Sequence, residues 1–205
     1  MSETKDTYKT ITEASPESLF KDRGSKFFGY AFPVTSEDDI DNCIQQLKKQ
    51  HHTARHWCYA WQLGKSYDRY RANDDGEPSN SAGMPIYGQL QAFDITNVLV
   101  VVVRYFGGTK LGVGGLIQAY KAAAQETLTH ASIVEKTIDE SLTITFEYPE
   151  MNTVMRIIKD EKLRIVSQEM QLSCEITMDI RQKDYSRIFQ IFSDTYKVNI
   201  KKRDS

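Results

Sequence analysis

The sequence predicts an α+β protein with two domains, and three patterns lead to that prediction. Apolar residues within 40–47 follow the i, i+3, i+4, i+7 spacing of an amphipathic helix. Residues 98–103 form an uninterrupted apolar run, which is typical of a strand that is buried on both faces. Residues 172–181 alternate strictly between apolar and polar side chains, as in a half-buried strand. Helix and strand patterns both occur in each half of the chain, so we expect each half to mix helices and strands.

The first half begins with a predicted strand over residues 26–34, where aromatic and β-branched side chains are frequent. A helix is predicted next, because Ser36 is a capping residue, acids occupy the first turn and lysines lie near the end. Two further strands are predicted over residues 56–63 and 67–73.

An irregular segment, NDDGEPSNSAG, is predicted over residues 73–83 because it combines Gly, Pro, Asn, Asp and Ser. Pro85 is suited to the first turn of a short helix. Residues 97–106 then predict the buried strand, and the turn GGTKLGVGG (107–115) leads into a helix from about Leu116 to His130.

The second half shows the order β-α-β-β-α-β, which is the ferredoxin-like arrangement. The predicted segments are strands near 142–146, 163–170, 172–181 and 198–200, and helices near 151–158 and 185–192. We place the boundary near residues 132–139, with an N-terminal domain over 1–135 and a ferredoxin-like domain over 138–203.

Composition and charge describe an ordinary globular chain. The net charge is -2, and each half is near -1, with 15 basic and 16 acidic residues up to position 137 and 11 and 12 after it. Any nucleic-acid contact would therefore come from local patches. The three widely spaced cysteines indicate neither a disulfide framework nor a zinc ribbon. No secretory signal or membrane span is predicted, so we expect a cytoplasmic protein.

The glycine-rich turn is a candidate anion site. A buried strand that leads through glycines into a helix exposes backbone amides beside a positive helix end, which suits a phosphate of RNA or of a nucleotide. The two common phosphate motifs fail, because Val113 follows Gly112 where a lysine belongs and Ile117 replaces a glycine. Alternatively, the glycines only allow a sharp turn and close packing. The candidate site consists of Arg104, Gly107, Gly108, Lys110, Gly112, Gly114, Gly115 and Lys121.

The irregular segment is a second candidate, because it carries three carboxylates within four residues. The EF-hand pattern is not met, so we predict no metal. The segment is either a binding loop or a solvated surface loop, and Arg69 or Arg71 can pair with its acids instead. His56 and Cys58 share one strand face, but no third group completes a thiol nucleophile. The candidate loop site consists of Arg71, Asp74, Asp75, Gly76, Glu77 and Ser79, with His56.

Three segments of the first half resemble the signature region of the IMPACT family: ARHWCYAW (54–61), ANDDGEPSNSAGMPI (72–86) and VRYFGGTKLGVGGLIQAY (103–120). The resemblance implies an N-terminal domain like the second domain of a small-subunit ribosomal protein. It also implies the C-terminal domain of bacterial members, which is similar to one of elongation factor G. Eukaryotic members carry a different N-terminal module and modulate a starvation-responsive translation kinase. We expect this chain to lack that module, so we do not transfer that role.

Two functions from different classes follow. The resemblance and the anion-ready turn predict a non-catalytic binding or regulatory protein of translation, without a cofactor, whose partner is RNA, the ribosome or a translation factor. The alternative is a small-molecule phosphotransfer enzyme that holds nucleotide phosphate in the same turn, because the expected N-terminal fold also serves a class of small-molecule kinases. Those kinases typically carry serines after their glycines, whereas Leu116 and Ile117 stand here. No membrane partner is expected, and the sequence does not determine the oligomeric state.

Overall fold

The computed structural model describes residues 6–202, which divide into two units. One unit comprises Tyr8–Lys136, and the other begins at Thr137 and includes Asp6 and Thr7. In the second unit the Ile138 amide donates to the Asp6 carbonyl oxygen over 2.8 Å. The unit Tyr8–Lys136 contains two clusters of buried apolar side chains, and the other unit contains one.

A five-stranded antiparallel sheet forms the centre of the first unit. Its order is β2-β3-β6-β4-β5, with strands β2 (Ser18–Asp22), β3 (Ser25–Pro33), β4 (His56–Leu63), β5 (Arg69–Asn73) and β6 (Val98–Tyr105). The middle strand β6 sends alternate side chains into two different cores, and residues 98–103 are all fully buried. The prediction of a strand that is buried on both faces is therefore confirmed.

Three helices cover the two faces of this sheet: α1 (Glu37–Gln50), α2 (Gly83–Ala92) and α3 (Gly112–Thr129). Helices α2 and α3 pack against one face, and α1 packs against the other. Helix α1 begins where the sequence predicts, because the Asp39 amide donates to Ser36 Oγ over 3.1 Å and the Ser36 amide donates to Asp39 Oδ2 over 3.0 Å. This reciprocal pair is a capping box that satisfies two otherwise unpaired amides.

Helix α3 begins four residues before the predicted start at Leu116. Gly112, Gly114 and Gly115 therefore form its first turn instead of the loop that precedes it. Glycine disfavours a helix by about 1 kcal/mol per residue, so the sequence pattern predicts that the helix begins only after the last glycine. Packing overrides that preference, because most helical stability comes from an apolar face such as the one that Leu116 and Tyr120 bury here.

The sequence patterns miss three strands. Strand β1 (Thr7–Ile11) pairs with β7 (Ile133–Thr137), so a strand occupies the segment in which the domain boundary was expected. The edge strand β2 is also unpredicted. All three are only five residues long, and so short a segment carries little periodic signal.

The second unit carries a four-stranded sheet in the order β11-β8-β10-β9. Its elements are β8 (Asp139–Glu147), α4 (Met151–Asp160), β9 (Arg164–Met170), β10 (Ser173–Arg181), α5 (Gln182–Ser193) and β11 (Val198–Lys202). This β-α-β-β-α-β succession confirms the ferredoxin-like prediction. Leu172 does not belong to the alternating face, because it precedes β10 and is 96% exposed.

None of the helices within residues 6–202 is long and apolar enough to cross a bilayer.

Candidate functional site

The glycine-rich turn presents an open helix end. The Gly107 amide donates to Ser25 Oγ over 3.2 Å, and this bond fixes the point where the turn leaves β6. No side chain of the described residues caps the N-terminus of α3, and no Asp or Glu lies in its first turn. The first four amides of any α-helix lack partners within the helix. Apart from its chain neighbours and the backbone of its own helix, a Cβ atom built on Gly108, Gly112 or Gly114 would meet no atom of the described residues within 4 Å, so this surface is open.

The two lysines of the candidate site differ in their distance from that helix end. Lys110 is exposed and lies two residues before Gly112. Lys121 is also exposed, but it follows Gly112 by nine residues, which is about 13 Å along a helix axis. A helix start at Leu116 would place Lys121 about one turn into the helix, and the earlier start of α3 at Gly112 corrects that position. It is too far away to join an anion at the first-turn amides.

Arg104 is not the surface cation that the sequence suggested. Its side chain is only 7% exposed, and its Nη1 donates to Glu77 Oε1 over 2.6 Å. The guanidinium also lies 5.7 Å from the ring centroids of both Phe27 and Phe106, within cation–π distance. Arg104 therefore serves first as an internal anchor. Arg69, one of the two arginines proposed to pair with the acids, instead contacts Glu37.

Asp74 and Asp75 are held by the protein's own backbone. Asp74 Oδ1 accepts from the amides of Ala82 and Gly83 over 3.0 and 2.8 Å, so Asp74 caps helix α2 from eight residues away. Its Oδ2 accepts from the Asn80 amide over 2.8 Å. Asp75 Oδ2 accepts from the Trp57 amide over 2.7 Å. Both carboxylates shape the segment, and within residues 6–202 no cluster of His, Cys, Asp and Glu is arranged to hold a metal ion.

A buried polar chain links the irregular segment to helix α3. The Tyr120 hydroxyl donates to Glu77 Oε1 over 2.8 Å, and the Glu77 side chain is 5% exposed. Cys58 Sγ lies 3.2 Å from the Tyr120 oxygen and 3.0 Å from the Asp74 carbonyl oxygen. Burial raises the pKa of both Cys58 and Tyr120. Cys58 is thus a buried thiol and not an activated nucleophile.

The other residues of the candidate loop site lie at its edge. Arg71 is exposed on the edge strand β5, and Gly76 and Ser79 are exposed in the irregular segment. His56 Nδ1 lies 2.9 Å from the Asp75 carbonyl oxygen. Because a carbonyl oxygen only accepts, Nδ1 carries a proton, and Nε2 is the ring atom available to a ligand.

Two cavities flank Phe106, a residue that the sequence patterns did not single out. One has a volume of about 380 Å³ and is lined by Arg55, His56 and Arg104. The other has a volume of about 460 Å³ and is lined by Lys26, His51 and an aromatic residue, Phe28. Tyr105 and Phe106 line both cavities. The sequence contained a signal for its exposure, because Phe106 is a large apolar residue directly before two glycines, where a turn carries the chain to the surface.

A directed hydrogen-bond relay ends beside the larger cavity. The Tyr30 hydroxyl donates to the Glu17 carboxylate, so its oxygen accepts from His51 Nε2 over 2.6 Å. His51 Nδ1 is then unprotonated and accepts from the Tyr105 hydroxyl over 3.0 Å. Burial lowers the pKa of His51, against the opposing charge of Glu17, and favours this neutral tautomer.

Comparisons with known proteins show what this chain is similar to. The model of the Impact N-terminal domain matches residues 23–128. IMPACT family member YvyE of Bacillus subtilis (strain 168) is 31% identical over 178 residues, which are 87% of this chain and 82% of that protein. Protein IMPACT homolog of Saccharomyces cerevisiae is 33% identical over 112 residues, 52% of this chain and 42% of that protein.

A solved structure described as a crystal structure of a hypothetical protein has the same fold. Its TM-score is 0.72 at 21% identity, and the match covers 98% of this chain and 100% of that one. The family model spans more than half of this chain, and the Bacillus relative matches nearly all of it. The chain belongs to the IMPACT family.

Proposed function

We propose that this chain is a non-catalytic binding and regulatory protein of translation, which engages RNA or a ribosome-associated partner through the open N-terminus of α3. The link to translation is supported by family membership, since the resemblance of the signature segments implies a domain that engages a translation-related or nucleic-acid partner. The observations that support the binding mode all lie within the unit Tyr8–Lys136.

The observation that carries the proposal is the exposed, uncapped first turn of an 18-residue helix. The aligned peptide dipoles place about half a positive charge at such an end, and its amides point outward as donors. Phosphate oxygens satisfy both the charge and the donors. No acid in the first turn competes for the position.

Lys110 and the glycines complete this surface. Lys110 contributes a full exposed charge next to the helix end. Gly108 has a φ of 89° and Gly112 a φ of 71°, so the backbone itself forms the approach to α3 without side chains in the way. A phosphate can therefore contact the amides directly.

Recovery of partners from cells tests the proposal. We would crosslink cells that express the wild-type chain, Lys110→Glu or Lys49→Glu, and quantify bound RNA and ribosomal proteins. Lys49→Glu is the matched control, because it makes the same charge change at an exposed lysine of α1, on the opposite face of the sheet. We expect Lys110→Glu to lose partner recovery and Lys49→Glu to retain it. Ribosome association should also weaken between about 50 and about 200 mM salt, because phosphate contacts release counterions.

Equal recovery for both variants would remove the helix end from the mechanism. Migration of the wild-type chain free of ribosomes and RNA at low salt would contradict the binding function itself. A nucleotide thermal-shift screen tests the alternative enzyme, since ligand at about a hundredfold excess over Kd adds about 2.7 kcal/mol of stability. A shift with a nucleotide, without RNA or ribosome recovery, would favour phosphotransfer.

A further inference from the structure

We propose that Phe106 is a base-stacking platform and that the two cavities beside it accept successive nucleotides of single-stranded RNA. This inference rests on the proposed function, because it names the class of nucleic acid bound. It adds a site that is distinct from the amides of α3 and that is carried by different observations.

The first observation is the exposure of Phe106. Its side chain is 57% exposed although it follows a strand whose residues 98–103 are completely buried. An exposed aromatic ring contributes little to the core, yet Phe106 forms part of the walls of both cavities. Its exposed surface is therefore available to a base that enters one of these cavities.

The second observation is the size and chemistry of the cavities. Volumes of about 380 and 460 Å³ lie in the range of small-ligand sites. Their walls combine aromatic rings with cations, which is the combination that single-strand binding proteins use for bases and for the phosphate backbone.

The third observation is the local charge. The whole chain has a net charge of -2, but among the described residues no Asp or Glu lines either cavity. Glu77 compensates Arg104, so the charge without an ion-pair partner among residues 6–202 comes from Arg55 on one side of Phe106 and Lys26 on the other. An anionic ligand that passes across Phe106 would meet a cation in each cavity.

The fourth observation is that the platform is held in place. The Arg104 guanidinium lies 5.7 Å from the Phe106 ring centroid and is fixed by Glu77, which also accepts from Tyr120. A ligand therefore meets a ring that is already supported, which reduces the ordering cost of binding.

Single-stranded RNA fits these features better than a duplex or a protein surface. The bases of a duplex are stacked on each other, and only unpaired bases are available to stack on an aromatic side chain. Lysine is depleted at protein interfaces, whereas Lys26 lies in the wall of one cavity here.

Fluorescence anisotropy with a labelled single strand of about ten nucleotides, and with the duplex of the same sequence, tests the inference. We expect the wild-type chain to prefer the single strand. Phe106→Ala should weaken single-strand binding about 5- to 150-fold, which corresponds to about 1–3 kcal/mol of lost stacking on one base. Phe106→Trp should restore binding, because it keeps an aromatic face.

Tyr70→Ala is the matched control, because Tyr70 is 55% exposed on β5 of the same sheet and lines neither cavity. Its single-strand affinity should equal that of the wild type. Replacement of Arg55 or Lys26 by Ala should reduce the slope of log affinity against log salt by about one phosphate contact each, whereas Phe106→Ala should leave the slope unchanged.

Equal affinities of Phe106→Ala and wild type would overturn the stacking platform, as would a wild-type chain that binds neither RNA form. A different outcome is that Phe106→Ala abolishes a ribosome association that survives ribonuclease, in a chain that has no affinity for RNA. That result would identify Phe106 as part of a protein-docking surface and would also overturn the stacking platform. Single-strand binding that depends on Phe106, in a chain that never recovers ribosomes or translation factors from cells, would support this site and contradict the proposed function.

Discussion

The ion pair between Glu77 and Arg104 gives the sharpest prediction about stability. Both side chains are almost completely buried, with 5% and 7% exposure, and the charged atoms are 2.6 Å apart. Glu77→Gln keeps the shape of the side chain but removes its charge. The Arg104 guanidinium would then remain buried without a counterion.

The structure sets the expected magnitude. Removing one partner of a buried pair typically costs about 3–5 kcal/mol, because the remaining charge cannot be solvated. An exposed pair is worth only about 0–1 kcal/mol. The pair of Arg69 and Glu37 is a control within the same unit, because its atoms are 3.3 Å apart and both side chains are 60% exposed. Glu37→Gln should therefore be nearly neutral.

Tryptophan fluorescence in urea measures this difference for the correct unit. The only two tryptophans of the chain, Trp57 and Trp61, both lie on β4, so their signal reports the unfolding of the unit Tyr8–Lys136. With a slope of about 2 kcal/mol per molar urea, a loss of about 4 kcal/mol lowers the midpoint by about 2 M. That loss is a large fraction of the 5–15 kcal/mol, roughly, that stabilises a typical domain.

The double change of Glu77→Met with Arg104→Met separates charge from packing. Replacing a buried pair by apolar side chains of similar volume is often neutral, so the double variant should be more stable than Glu77→Gln alone. If Glu77→Gln lowers the midpoint no more than Glu37→Gln does, Arg104 is solvated in solution and the buried network is not as described.

Three further predictions concern neighbouring features. Asp74→Ala should cost about 1.5–3 kcal/mol, because the first amides of α2 lose a charged acceptor, and urea unfolding measures the loss. The lowered pKa of His51 means that the unfolded chain binds more protons at this site, so stability should fall as pH drops below about 6.5. His51→Gln should flatten urea midpoints measured between about pH 7.5 and 5.5, and a pH dependence equal to that of the wild type would refute the assignment. Gly107→Ala should destabilise by about 1–3 kcal/mol, because its Cβ would lie 1.9 Å from a backbone carbon of Gly24. Gly114→Ala should instead stabilise by about 0.5–1 kcal/mol, and an equal loss for both variants would contradict the difference.

The sequence predicts those elements whose stability is encoded locally. The capping residues of α1, the apolar run of β6 and the strict alternation of β10 each lie within about ten consecutive residues. Strands β1 and β7 could not be found this way, because they pair across more than a hundred residues of intervening chain. Their pairing depends on the tertiary fold, which the local sequence pattern does not encode.

The candidate site shows the same limit. The sequence places Glu77 in a polar segment and Arg104 at the end of a strand, 27 positions apart, and each looks like a solvated charge. Only the fold brings them together, so the sign and spacing of the residues could not distinguish a ligand-binding cation from half of a buried pair. Phe106 was missed for the converse reason, because an apolar residue after a buried strand is ordinarily part of the core.

The glycine-rich turn had two interpretations, an anion site and a sharp turn that needs glycine for packing. The structure allows each glycine to be considered under these interpretations in turn. Gly107 is required for packing, since it touches the backbone at Gly24, and Gly108 and Gly112 adopt positive φ values. Gly114 meets neither condition, because its φ is not in the positive region and the space around its missing side chain is open. A glycine inside a helix costs about 1 kcal/mol relative to alanine. No side chain or backbone of the described residues fills the space beside Gly114 that a larger residue would occupy. The space above Gly114 is where we expect a phosphate to approach the amides of α3.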